Sequence, residues 1–194
     1  MKKAFPVLLV AVVLLGLGLY LSRTGPGGSG VSAEEVPGDP DDPLSVLGNL
    51  PLDLDGRVHR LKEGRVMENL PDCRVAWNTG LTQYMAAGDL NGDGVDDAAA
   101  IFVHECPGSV AKYYLGAAIR KKNGRARATN TIYLGDPIMV EDLKIDGGRI
   151  ETYFLTVPKD KAWTDTPSVV HDLRFVVEGT VLRLHEDVPT SEEE

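Results

Sequence analysis

Positive charge is scarce in this sequence. Its 20 Lys and Arg stand against 29 Asp and Glu, for a net charge of −9 and a pI of about 4.9. Lys2 and Lys3 precede the first apolar run, so the rest of the chain is more acidic still. A basic face for phosphate backbones is not there, which excludes nucleic acid as a partner. Cysteine is scarce too: Cys73 and Cys106 are the two in the chain. They lack Cys-x-x-Cys spacing and a histidine-based motif, so neither a thioredoxin-like pair nor a cysteine-rich zinc site is indicated. No cysteine lies near the N-terminal apolar run, which argues against a lipoprotein. Beyond that run no segment carries a long 3.6-residue period, which argues against a helical domain. Catalytic signatures are missing as well. Ser168 has no nucleophile-elbow context. His104-Glu105 and His171-Asp172 are His–acid neighbours, but on strands adjacent side chains point to opposite faces. His59 is isolated, His185-Glu186 is a third such neighbour pair at the end of the domain, and all four histidines read as surface residues.

What is present is a chain of 194 residues, 43% hydrophobic and 25% charged, enough for one domain with a real core plus appended segments. Residues 1–21 read as an N-terminal signal anchor: Lys2 and Lys3, then AFPVLLVAVVLLGLGLYL without a charge. As a helix that run spans about 27 Å, near the hydrocarbon thickness of a bilayer. The basic flank is expected on the cytoplasmic side of an inner membrane and the acidic remainder in the periplasm or at the cell surface. A cleaved signal peptide, releasing the domain, is the alternative. Its best site, Val31-Ser32-Ala33, lies far beyond the apolar run. Residues 22–47 are rich in Gly, Pro, Ser and acids and read as a disordered linker. Residues 48–188 carry the domain, and 189–194 are an acidic tail. Turn signals at Asn123-Gly124, Asp146-Gly147-Gly148 and Glu178-Gly179 separate apolar runs and predict three successive hairpins. The fold class is therefore mainly β, an antiparallel meander or sandwich-like sheet. In an oxidising compartment Cys73 and Cys106 are expected to pair, worth about 3–4 kcal/mol by loop closure; two buried thiols are the alternative. Trp163, in the polar loop KDKAWTDTP, is either a partner contact or, more commonly for such a residue, folded back on the core.

The densest signal is AGDLNGDGVDDAAAIFV, residues 87–103. Counting from Asp89, oxygen-bearing side chains recur at Asn91, Asp93 and Asp97, Gly94 permits a sharp turn, and Val95 offers its carbonyl. Calcium needs six to eight hard oxygens, and alternate residues of a tight loop can aim them at one centre. The twelfth position is Ala100, where an EF-hand needs a bidentate Glu, and the flanks read as strand, so this is a shorter loop of another kind. A plain Asp/Asn/Gly turn in solvent is the alternative.

Over GDLNGDGVDDAAAIF the chain resembles the calcium loops of FG-GAP repeats, found in integrin-type β-propellers. The resemblance implies Asp89, Asn91, Asp93, Val95 and Asp97 as ligands of Ca2+. It does not imply a propeller, which needs several blades, and no second copy of the motif occurs. More loosely, residues 50–188 resemble small exported bacterial domains with one such loop, which bears on location and fold and not on activity. The function expected is a membrane-anchored, calcium-binding module of the cell envelope that binds or scaffolds, with an envelope protein or glycan as partner. The alternatives are a calcium-dependent envelope hydrolase and an accessory subunit of an envelope complex.

Overall fold

A computed structural model describes residues 34–187, which are strand apart from one short 3-10 helix and the connecting turns. In chain order they are β1 (Glu35–Val36), the 3-10 helix (Pro43–Asn49), β2 (Pro51–Leu54), β3 (Arg57–Arg60), β4 (Arg65–Glu68), β5 (Trp77–Gly88), β6 (Asp97–Glu105), β7 (Lys112–Arg120), β8 (Ala126–Ala128), β9 (Ile132–Gly135), β10 (Ile138–Asp146), β11 (Arg149–Thr156), β12 (Val169–Glu178) and β13 (Val181–Asp187). A seven-stranded sheet runs β1-β8-β7-β6-β5-β4, with β9 also on β7; β10 to β13 form a four-stranded meander, and β2 and β3 a hairpin. Every pairing is antiparallel. The three hairpins expected from the turn dipeptides are β7–β8, β10–β11 and β12–β13.

The run DAAAIFV explains the layering. An apolar stretch without alternation suits a strand covered on both faces. Ala98, Ala100 and Phe102 of β6 enter one hydrophobic cluster, with Leu47, Leu50, Leu52 and Leu54. Ala99 and Ile101 point the other way, into a second cluster with Ile150, Phe154, Phe175 and Leu182. β7 repeats the division, with Tyr114 and Ala118 on the first side and Leu115 and Ala117 on the second. The large sheet is thus sandwiched between the β10–β13 meander and a layer made from the 3-10 helix and the β2–β3 hairpin.

That last layer corrects the linker boundary. Residues 34–47, expected to be part of a disordered tether, are built into the fold; residues 22–33, the anchor at 1–21 and the tail at 189–194 lie outside the described residues. Asp42 caps the 3-10 helix by accepting the Leu44 N–H at 3.0 Å, and Val46 and Leu47 are fully buried. Glu35 of β1 accepts from Lys121 and, at 3.0 Å, from Arg125, and pairs with Arg127 at 3.1 Å. Those cations hold its carboxyl below the usual range, the Lys121 hydrogen bond foremost. Gly124 sits against this strap so closely that a Cβ there would lie 2.5 Å from the Gly38 carbonyl oxygen. Among the described residues no helix is long and apolar enough to cross a membrane.

Candidate functional site

The acidic loop closes the end of the β5–β6 pair, whose last matched residues are Gly88 and Asp97. Gly92 and Gly94 both adopt φ of +77°, a region open to glycine, and so bring the chain round within nine residues. Asp89 organises the turn. Its Oδ1 accepts the N–H groups of Gly92 (2.7 Å), Asn91 (3.2 Å) and Asp93 (3.2 Å), and its Oδ2 accepts that of Gly94 at 2.9 Å. Chiefly the Gly94 N–H, aided by the others, keeps this carboxyl below the ordinary range. Asn91 Oδ1 accepts from the Asp93 N–H at 2.9 Å, and Asp93 Oδ1 from the Val95 N–H at 2.8 Å. Asn91 and Asp93 stay exposed.

Asp97 differs from its neighbours. It is fully buried, with Oδ1 accepting the Arg120 N–H at 2.7 Å and Oδ2 the Leu90 N–H at 3.0 Å. Burial pushes its carboxyl up to about 6; the two N–H bonds oppose this, and the charges of Asp93 and Asp89 reinforce it. No described cation pairs with it: the Arg120 guanidinium turns instead to the carbonyls of Asp96 (2.6 Å), Asp39 (2.9 Å) and Pro40 (3.0 Å). Arg120 thereby ties the loop to the strap.

The donor chemistry suits a hard divalent cation. Asp89, Asn91, Asp93, the Val95 carbonyl and Asp97 occur in one continuous turn, and a sealed carboxylate beside two others is a charge that an ion would relieve. As the loop stands, Asp89, Asp93 and Asp97 accept from backbone amides, and Asp93 Oδ2 accepts from the Asn91 side-chain amide at 3.3 Å. Among the described residues no group of three or more His, Cys, Asp or Glu side chains is arranged as a metal cage. The loop is therefore a preshaped turn and not a finished metal cage.

The other sequence candidates fall as follows. Cys73 and Cys106 stand at disulfide distance, with Cα atoms 5.8 Å apart, and fasten the 69–76 loop to the far end of β6. The surface reading of the histidines is corrected for two of them. His59 and His104 are 1% and 6% exposed and their rings face each other at 4.9 Å. His171 is half-buried, stacked on Phe154, with Nε2 2.9 Å from Thr156 Oγ1. Trp163, expected to fold back, is 61% exposed. Nothing local in the sequence announces the His59–His104 pair, because the two rings and their partners lie on four separate strands, β3, β4, β5 and β6.

The fold and the loop together define an all-β domain of antiparallel sheets with one acidic turn at a sheet end. No family model, curated protein or solved structure matches the chain.

Proposed function

We propose that this protein is an exported β domain, held at the inner membrane by residues 4–21, that binds one calcium ion through Asp89, Asn91, Asp93, the Val95 carbonyl and Asp97. Its role on this reading is to bind or scaffold at the cell envelope, with a protein or glycan as partner. One observation carries the ion: Asp97 is a sealed carboxylate with no described counter-cation, beside Asp89 and Asp93. Bound calcium supplies positive charge and nothing redox-active. The chain's own residues do the rest. Asp89 keeps the turn closed, the two glycines shape it, and Asp97 joins it to Arg120 and so to the strap.

Without the bidentate Glu of an EF-hand, affinity is expected near 10⁻⁴–10⁻³ M, as in extracellular modules. The test is thermal and denaturant unfolding of the full chain in detergent, with EDTA and with calcium up to 10 mM, beside Asp93→Ala. Wild type should gain about 1–3 kcal/mol at the highest calcium, and the variant should not. A flat wild-type response would reduce the loop to an acidic turn.

A further inference from the structure

At the opposite end of β6 from the acidic loop, His59 of β3 and His104 of β6, their rings in tilted contact at 4.9 Å, both line a cavity of about 170 Å³, whose wall also carries Asp55, Asp72, Arg57 and Lys112. Both imidazoles are buried, where an apolar side chain would cost less than a polar ring. Each ring is oriented through Nδ1. His59 Nδ1 bonds the Glu68 carboxylate of β4, and His104 Nδ1 lies 2.8 Å from Thr79 Oγ1 of β5. The His104 ring also stacks flat on Trp77, centroids 4.2 Å apart and planes within 4°.

A carboxylate only accepts, so the Glu68 contact puts a proton on His59 Nδ1 and, in the neutral ring, the lone pair on Nε2. The Thr79 hydroxyl can hold His104 in the same tautomer. Among the described residues the hydrogen bonds of both rings run through Nδ1, and neither Nε2 is among the sealed, unpartnered polar atoms. Both rings line the cavity. A histidine whose Nδ1–H is held by a carboxylate or hydroxyl while Nε2 looks into a polar space is the arrangement that metal-bound histidines use.

We propose that His59 and His104 form a second, independent metal site, for a divalent transition ion of the zinc–copper class. Imidazole nitrogen selects those ions over calcium, which requires oxygen. Asp72, in the same lining, is a candidate for a third ligand. Its Oδ1 accepts the Trp77 Nε1–H at 2.9 Å, and its loop is fastened beside the cavity by the Cys73–Cys106 bridge. No described third side chain completes a preformed cage, so water fills the remaining positions in the 170 Å³ space.

The test uses the full chain in detergent, without a histidine tag, titrated with Zn2+ by calorimetry and with Cu2+ by tryptophan fluorescence. A Trp163→Phe background leaves Trp77 as the reporter, since the chain has two tryptophans. Copper should quench Trp77 saturably and bind more tightly than zinc. His59→Asn, whose amide can still donate to Glu68, should weaken zinc at least tenfold while its metal-free unfolding midpoint confirms that it folds. His104→Gln should do the same by calorimetry. Asp93→Ala and His185→Ala should leave zinc binding unchanged. Unaltered zinc affinity in a folded His59→Asn protein would overturn the proposal, and so would loss of binding in Asp93→Ala or His185→Ala. Because the zinc test is read in Asp93→Ala as well, it stands or falls apart from the calcium reading.

Discussion

The two ends of β6 are built on opposite plans. Asp97 opens the strand and His104 nearly closes it, seven residues and roughly 24 Å apart and on opposite faces. At the first end the turn itself is local, Asp89 bonding residues two to five positions ahead, and the long-range ties run through Arg120. At the second, His59 reaches Glu68, Thr79 reaches His104 and Asp55 reaches Lys112 and Tyr114, across separations of 9 to 59 residues. A local motif writes itself into spacing, whereas a pocket gathered by sheet pairing leaves no such trace. The ends also differ electrically. The loop end gathers carboxylates against one buried acid; the pocket end mixes both signs around two buried bases.

The largest way to break the symmetry is to cut the covalent staple at one end. Replacing Cys73 and Cys106 by Ser should cost about 3–4 kcal/mol of stability in denaturant unfolding, from the 33-residue separation that the bridge spans. The loosening should appear at Trp77 and His104, with calcium response at the loop unchanged.

A sharper comparison uses protons. Asp97 has its folded pKa raised from 3.8 to about 6. Between those values the folded chain holds more protons than the unfolded one, so this acid lowers stability as pH rises through about 4 to 6. His104 has its folded pKa lowered from 6.5 to about 4. There the unfolded chain holds more protons, so this base lowers stability as pH falls through nearly the same window. Each shift corresponds to up to about 3 kcal/mol, and the two oppose. In EDTA, Asp97→Asn should lose stability relative to wild type on going from pH 7 to 4.5, and His104→Gln should gain it. Parallel curves for wild type and both variants would show that neither buried group titrates as its surroundings dictate.

The smallest effect belongs to the strap that Arg120 connects to the loop end. Glu35→Gln removes ion pairs whose cations are about half exposed, so a loss of under about 1 kcal/mol is expected, fading in high salt.

What was legible in the sequence follows the same division. The strands flanking the acidic loop and the three hairpins were readable because apolar runs and Gly-containing turns are local signals; the cysteine pairing was expected from an oxidising compartment and from no local signal. The strap was not. Its Pro, Gly and Asp content matches a tether, and its anchors Val36, Val46 and Leu47 follow no period. They are held by contacts with β7, β8 and the β6 face, which only the folded chain supplies. His59 and His104 were misplaced at the surface for the same reason: a histidine's burial is decided by neighbours that sequence order does not reveal. Trp163 failed in the other direction, since nothing in its polar loop folds it back.

The strap has a mechanical consequence. If the chain is held at its N-terminal side, any pull enters at β1, a two-residue strand at the rim of the large sheet. Three salt-sensitive contacts on Glu35, then the Arg120 bonds to the Asp39 and Pro40 carbonyls, take the load before Val46 and Leu47 do. Residues 34–49 would then release about 50 Å of slack while β5, β6 and β7 stay paired. The rim thus works as a fuse that yields ahead of the strands carrying both candidate sites.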